Sequence, residues 1–322
     1  MLVLRHLPAR ADAPVAITIG NFDGVHLGHR AMIERVTQAA RERGSAAWVM
    51  TFEPHPREFF APDKAPARLT SLREKLELLR GLGVDGVLVC RFNFDFARIG
   101  AEEFVERILV RGLAARWVLV GDDFRFGARR LGDLDLLVRA GHTHGFEALC
   151  MPSVSADGIR VSSTAVRARL ADGDLDGAAR LLGRPYSVSG RVVVGDKLGA
   201  QLGFPTANVR MEHNRPPLMG IFVVEVLGLE SRPLPGVASL GVRPTVKQGG
   251  APVLEVHLFD FGRDIYRRRV QVRFLQKLRD EEKYPDLPTL TAAIARDVKN
   301  AKAYFTNRKG VQVQSQRDVF SE

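Results

Sequence analysis

Two rhythms of hydrophobic residues divide the chain. In the first half, short apolar runs alternate with stretches whose apolar residues recur at helical spacing. Pro14–Ile19, Ala46–Phe52, Gly86–Cys90, Trp117–Gly121 and Phe146–Met151 read as buried strands. Between them, Met32, Ile33, Val36 and Ala40, then Leu72, Leu76 and Leu79, then Ala101–Arg111 read as helices, the second capped by Thr70 or Ser71. Strands alternating with helices predict a doubly wound parallel sheet. Phe92, Phe94 and Phe96 follow the third run at period two, a pattern more typical of core than of a ring-binding wall. A short helix over 174–182 ends at Gly183-Arg184-Pro185, and there the rhythm changes. Tyr186–Val194, Ile221–Leu227, Gly236–Val242, Val253–Phe261 and Val270–Phe274 are short strands with turns between them, which predicts a small closed β-barrel or sandwich. Leu290, Ala293, Ile294 and Val298 mark a terminal amphipathic helix. The expected organisation is an α/β domain over 1–183, an all-β domain with a C-terminal helix over 184–305, and an unassigned polar tail over 306–322.

Composition narrows the class without deciding it. A chain of 322 residues, 45% hydrophobic and 26% charged, suits two soluble domains. It has no leader-like N-terminus and no run approaching a membrane span, so a cytoplasmic protein without a membrane partner is expected. Cys90 and Cys150 each close an apolar run and read as small buried hydrophobes, with no disulfide framework or zinc pattern. The formal net charge of +10 favours anionic partners. Lys and Arg are scattered rather than massed with aromatic residues, so nucleotides are expected and nucleic acid is not.

The candidate chemistry of the first half begins at the turn after its first strand, Gly20-Asn21-Phe22-Asp23-Gly24-Val25-His26-Leu27-Gly28-His29. A strand-to-helix turn aims free helix N–H groups above the sheet edge, which makes an anion site. The glycines permit close backbone approach, and His26 and His29, three apart, can point the same way. Two imidazoles with helix N–H groups suit a polyphosphate whose charge grows during transfer. The stretch matches neither a P-loop nor a dinucleotide-binding turn, and no cysteine lies near enough for a zinc set. Glu53-Pro54-His55-Pro56 reads as a rigid loop in which His55 is either a phosphate or ring contact or a solvated loop histidine. In Gly121-Asp122-Asp123-Phe124-Arg125-Phe126-Gly127, Arg125 can bridge phosphates and the aromatics can pack on a ring or on the sheet. Ser162-Ser163-Thr164 with Arg167 one turn on is either a plain capped helix or a second anion cradle. No Ser, Cys or Lys nucleophile is paired with a base, so direct in-line transfer is expected.

In the second half, Gly203-Phe204-Pro205-Thr206-Ala207-Asn208 sets two short oxygen-bearing side chains two apart on an extended segment, a donor set that Mg²⁺ accepts beside substrate phosphates. Along Leu254–Leu258 the apolar residues face one way, with Glu255 and His257 the other. A carboxylate there can take the proton of an attacking alcohol, or it can be an ordinary solvated residue.

H-x-G-H after a first strand resembles the nucleotidyltransferase superfamily, whose members expel pyrophosphate from a nucleotide. With Gly20–Gly24 in front, and with F-x-P-H-P, G-x-D-F-R-F-G and S-S-T-x-[IV]-R in order, the chain resembles the bacterial bifunctional riboflavin kinase/FMN adenylyltransferase (FAD synthetase) family. G-F-P-T-A-N, Gly241–Thr245, Glu255-x-His257-Leu258, Asp264-Ile265-Tyr266 and Leu278-Arg279-Asp280-Glu281 continue the match to about residue 300. The resemblance implies a Rossmann-like nucleotidyltransferase domain followed by a riboflavin-kinase barrel. It implies His26 and His29 as catalytic, with nucleotide or flavin contacts from Gly20 to Gly24, His55, Asp123 to Gly127, Ser162, Ser163, Thr164 and Arg167. In the barrel it implies Glu255 as the catalytic base, Thr206 and Asn208 as Mg²⁺-ATP ligands, and Gly203, Phe204, Pro205 and Arg279 as binding residues. ATP would be co-substrate in both steps, riboflavin and FMN the acceptors and FAD the final product. A weak homo-oligomer is compatible with this reading. Two positions depart from the family pattern: Ala200 stands where an arginine is usual, and Arg267 where a glycine is usual. Both bear on the efficiency of the kinase half rather than on its identity.

Overall fold

The computed structural model describes residues 1–8, 13–195, 198–212, 215–242 and 252–319, with side chains to 308. Of the motif at Gly241–Thr245, residues 243–245 lie outside the described residues. The chain forms two compact units, Met1–Ala165 and Val166–Glu322.

The first unit runs β1 (Leu2–Leu4), β2 (Val15–Ile19), α1 (Leu27–Glu42), β3 (Ala46–Glu53), α2 (Pro56–Phe60), α3 (Leu72–Gly81) and β4 (Gly86–Arg91). Then come α4 (Phe94–Ala97), α5 (Ala101–Glu103) leading into a π-helical stretch at Phe104–Gly112, β5 (Ala115–Gly121), α6 (Leu134–His144) and β6 (Glu147–Met151). A small hairpin, β7 (Ser155–Ala156) with β8 (Ile159–Arg160), precedes α7 (Ser163–Ala171), within which the two units divide. The sheet order is β1-β4-β3-β2-β5-β6 and every pairing is parallel. β2 lies in the middle and all five of its residues are buried, as a continuous apolar run covered on both faces requires. Its carboxyl end, and that of β3, feed the loops that carry the candidate chemistry.

Three expectations change here. β1 is an additional edge strand, too short to show a periodicity. Cys90 is buried, and burial pushes its thiol up to about 12, but Cys150 is exposed because β6 is an edge strand. The phenylalanines after β4 do not continue the strand. Asn93 caps α4, Phe94 stays 66% exposed, and Phe96 packs on Phe52 and Phe104.

The second unit opens with α8 (Leu175–Leu182), capped by Asp174 and ended by Gly183 at φ 70°. β9 (Ser187–Val193), α9 (Leu198–Gln201), β10 (Ala207–Arg210), β11 (Gly220–Leu227), β12 (Leu234–Val242), β13 (Pro252–Leu258) and β14 (Arg269–Arg279) follow, then the long helix α10 (Leu287–Val319). The six strands close into a barrel in the order β10-β13-β12-β11-β14-β9. Alternation along β13 seals the interior with Leu254, Val256 and Leu258. α10 covers part of the outer wall by packing Ala301 and Val298 over Val223, Val237 and Phe259. It continues as helix to Val319, through the stretch that lacks an amphipathic period.

Candidate active sites

The loop from Gly20 to His26 is held in a conformation its residues do not favour. Phe22, Gly24 and Val25 all have positive φ, at 49°, 84° and 42°. For Phe and Val the left-handed region is costly and persists only where surroundings over-determine it. The surroundings are visible. Both side chains are buried, and the Asp23 carboxylate accepts N–H bonds from Leu69 (3.1 Å) and Thr70 (3.0 Å). The Thr70 hydroxyl donates to Asp23 and accepts from Gly24 N–H. Asp23 therefore clamps the loop from beneath.

His26 caps α1, accepting the His29 N–H on its Nδ1 at 3.3 Å. A neutral His26 must then carry its proton on Nε2. The two rings stack with centroids 3.6 Å apart, and Phe22 tilts against His29 at 5.0 Å. Burial, then the nearby His26 and Lys75, hold the His29 pKa well below 6.5, so its ring is neutral at pH 7. His29 Nδ1 and Asn21 Oδ1 are buried without hydrogen-bond partners among the described residues. Asn21 lies in the loop and His29 in the first turn of α1, and such unsatisfied atoms are ones that a polar ligand would satisfy.

Ser163 joins this loop directly, donating its hydroxyl to the Asp23 carbonyl at 2.9 Å, while Ser162 Oγ caps α7 by accepting Ala165 N–H. Thr164 is exposed beside them, and Arg167 follows one turn along α7. His55 occupies a helix N-cap rather than an unstructured loop. Pro56 sits in the first turn of α2, where its missing N–H costs nothing, and His55 Nδ1 accepts Arg57 N–H at 3.1 Å. Arg68 braces that turn, bonding Glu53 at 2.7 and 2.9 Å and also Glu58. In the loop after β5, Phe126 is buried and stacks on Phe124, Arg125 pairs with Asp133 at 2.9 Å, and Asp123 is exposed. Gly127, at φ 71°, lies so close to the Ala101 backbone that a Cβ would come within 2.8 Å of it.

Sequence reasoning missed Lys75. It lies between Leu72, Leu76 and Leu79 of an amphipathic helix, where a polar residue reads as solvent-facing. It is only 4% exposed. Its Nζ donates to Thr51 Oγ1 at 3.3 Å, and Thr51 donates to the Asn21 carbonyl at 3.2 Å. Burial lowers its pKa, while Asp23 and Glu53 act to raise it. Glu74 is buried for a different reason: it completes a capping box with Ser71.

In the barrel, the register sets Asn208 directly opposite Glu255, which in turn pairs with Ser239. Gly195 and Gly199 leave the space that Asn208 and Thr206 use. A Cβ on Gly195 would overlap the Asn208 amide, and one on Gly199 would lie 3.2 Å from Thr206 Oγ1. Gly203 has φ 85° in the turn before Phe204 and Pro205, and the Pro205 carbonyl lies 2.8 Å from His257 Nδ1. The hydroxyl, amide and carboxylate oxygens gathered here fit the preference of Mg²⁺ for oxygen donors. Among the described residues no cluster of three His, Cys, Asp or Glu side chains is arranged to hold a metal alone. Arg279 is engaged with α10, bonding Asp297 at 2.6 and 3.0 Å, which raises its pKa.

Comparison with known proteins agrees with this division. The FAD synthetase family model matches residues 9–165, and the riboflavin kinase model matches 182–305. The chain belongs to the bifunctional riboflavin kinase/FMN adenylyltransferase family. It is 49% identical over 308 residues to the Escherichia coli K12 member, covering 95% of this chain and 98% of that one. It is 50% identical over 286 residues to the member from Pseudomonas fluorescens, covering 89% and 91%. A crystal structure from Streptococcus pneumoniae, described as a macrolide-efflux protein, shares the fold with TM-score 0.80 at 26% identity, over 94% of this chain and 99% of that one. Among the described residues, no helix is long and apolar enough to cross a membrane.

Proposed function

We propose that the family's two reactions are divided between the sites described above, with the boundary between the activities near Gly183. In the barrel, Glu255 takes the proton of the riboflavin 5′-hydroxyl as that oxygen attacks the γ-phosphate of ATP, giving FMN and ADP. Thr206 and Asn208 would hold Mg²⁺ with the ATP phosphates. When bound, the ion neutralises charge on those phosphates. Gly203, Phe204 and Pro205 shape the turn over which the nucleotide lies, and Arg279 fixes the end of β14 against α10.

In the first unit, the phosphate of FMN attacks the α-phosphate of a second ATP in line, giving FAD and pyrophosphate. An FMN phosphate is largely ionised near neutral pH, so no strong base is needed. The chain's contribution is positioning and charge stabilisation. The α1 N-terminus and the two imidazoles, with His26 donating through Nε2, face the charge that develops on the phosphates. Asn21, His55, Asp123, Arg125, Ser162, Ser163 and Arg167 orient the nucleotide and flavin. The enzyme works in the cytoplasm on small molecules, without nucleic acid or membrane, and any homo-oligomer is weak.

The pairing of Asn208 with Glu255 is the observation that supports the kinase reading, because it sets an amide oxygen beside a carboxylate. Glu255→Gln tests it. The variant should lose FMN formation from riboflavin while still converting FMN to FAD. A variant that phosphorylates riboflavin at the wild-type rate would remove Glu255 from the reaction.

A further inference from the structure

The outer wall of the barrel carries three arginines in register. Arg191 on β9 is paired with Arg210 on β10 and with Arg269 on β14, so three side chains leave the same face of three adjacent strands. Directly opposed like charges destabilise a strand pair. The turn entering β14 adds Arg267 and Arg268, both exposed. Arg267 stands at φ 62°, a conformation that costs an L-residue with a side chain and costs glycine nothing. It is nevertheless locked in place. Its N–H donates to the Val192 carbonyl at 2.9 Å, and its own carbonyl accepts from Arg191 Nη1 at 3.1 Å.

Among the described residues, one acid forms an ion pair with these five cations. Glu212 lies 3.6 Å from Arg269 Nη1. Arg269 Nη2 is buried without a hydrogen-bond partner among the described residues, and Arg210 is exposed. A row of like charges with an orphaned guanidinium N–H is a site that an anion would complete.

The position of the row bears on which class of anion it would take. Arg210 is two residues from Asn208 on the same face of β10, about 6.6 Å along the strand. Arg191 is two residues from Val193, which pairs with Asn208 from the other side. Arg210 and Arg191 therefore start on the strand of Asn208 and on its neighbour, about two residues from Asn208 on the side away from Glu255, and Arg269 starts one strand further along the row. We propose that Arg191, Arg210 and Arg269 form an anion subsite of the barrel that takes phosphate oxygens, either of the ATP chain or of the FMN product. The proposal rests on the kinase reading of Asn208 and Glu255.

The test uses the full chain with Arg191 and Arg210 changed together, once to Ala and once to Lys. Both half-reactions are followed in the same preparations, riboflavin to FMN and FMN to FAD. In the Ala variant, the expected result is a rise of about tenfold in the KM for ATP of the kinase step, as loss of charge-assisted hydrogen bonds to phosphate implies. The Lys variant should recover part of that loss, and the adenylyl step should keep its wild-type KM. An unchanged ATP KM with about tenfold weaker product inhibition by FMN also supports the subsite and assigns it to the FMN phosphate. Wild-type values for both constants in both variants would overturn the subsite alone. Absence of FMN formation by the wild-type chain would instead overturn the kinase reading and the subsite with it. Equal losses in both half-reactions, not restored by Lys, would mean that the arginines only support the fold, which also overturns the subsite.

Discussion

Asn208 and Glu255 face each other across antiparallel strands, with Ser239 on the far side of the glutamate. The Ser239 hydroxyl donates to Glu281 Oε1 at 3.0 Å. The two residues should fail differently. Asn208→Ala should raise the KM for Mg²⁺-ATP in the kinase step, whereas Glu255→Gln should lower kcat by about a hundredfold or more, the usual contribution of a general base. Steady-state kinetics with ATP varied at saturating riboflavin separates the two, and the same defect in both variants would contradict the division of roles.

His29 links the first turn of α1 to acid stability. Its pKa is depressed in the folded protein, mainly by burial and then by His26 and Lys75. Below 6.5 the unfolded chain therefore binds a proton that the folded chain resists, and stability falls as pH drops from 6.5 toward the folded-state value. Above 6.5 the contribution is fully present. Thermal unfolding followed from pH 7.5 to 5 should show this loss, and His29→Gln should flatten it. A slope identical in the two proteins would show that His29 is not depressed.

Lys75 is linked to the Gly20–His26 loop through Thr51 and the Asn21 carbonyl. Lys75→Met keeps most of the volume and removes the charge. The variant should lose about tenfold in adenylyl-transfer efficiency, the scale of one hydrogen bond from a charged group. Because the lysine charge helps depress His29, the acid limb of the pH–rate profile should move up toward 6.5. An unshifted profile would leave Lys75 with a packing role only.

Arg279 and Asp297 tie the end of β14 to α10, and Asp297 is only 4% exposed. Removing Asp297 takes the nearest carboxylate from a mostly buried guanidinium and leaves it Glu282 at 3.8 Å. Asp297→Ala should cost the barrel unit about 3 kcal/mol by denaturant unfolding. A cost below about 1 kcal/mol would place the pair with ordinary surface ion pairs.

The local features of both units could be read from the sequence because they depend on neighbours along the chain. The continuous run of β2, the alternation of Leu254, Val256 and Leu258, and the Gly183 helix end are all of this kind. Long-range consequences were not legible. Nothing in the spacing of Asn208 and Glu255 says that β10 pairs with β13 in the register that joins them. Lys75 carries no mark in sequence that separates it from a solvated helix residue, because its burial follows from where α3 meets the Gly20–His26 loop. Cys150 closes an apolar run as Cys90 does, but only the sheet order shows that β6 is an edge. His55 was half legible: the prolines announced a constrained segment, and its place at a helix cap emerges only in the fold.

The most direct test of the central claim is chromatographic separation of flavins after the purified chain is mixed with ATP and Mg²⁺, one reaction started from riboflavin and another from FMN. Two working sites predict FMN and then FAD in the first tube, and FAD in the second. FAD from FMN with no FMN from riboflavin would contradict a functional Asn208–Glu255 site. Unchanged flavin in both tubes would contradict the assignment of chemistry to either unit.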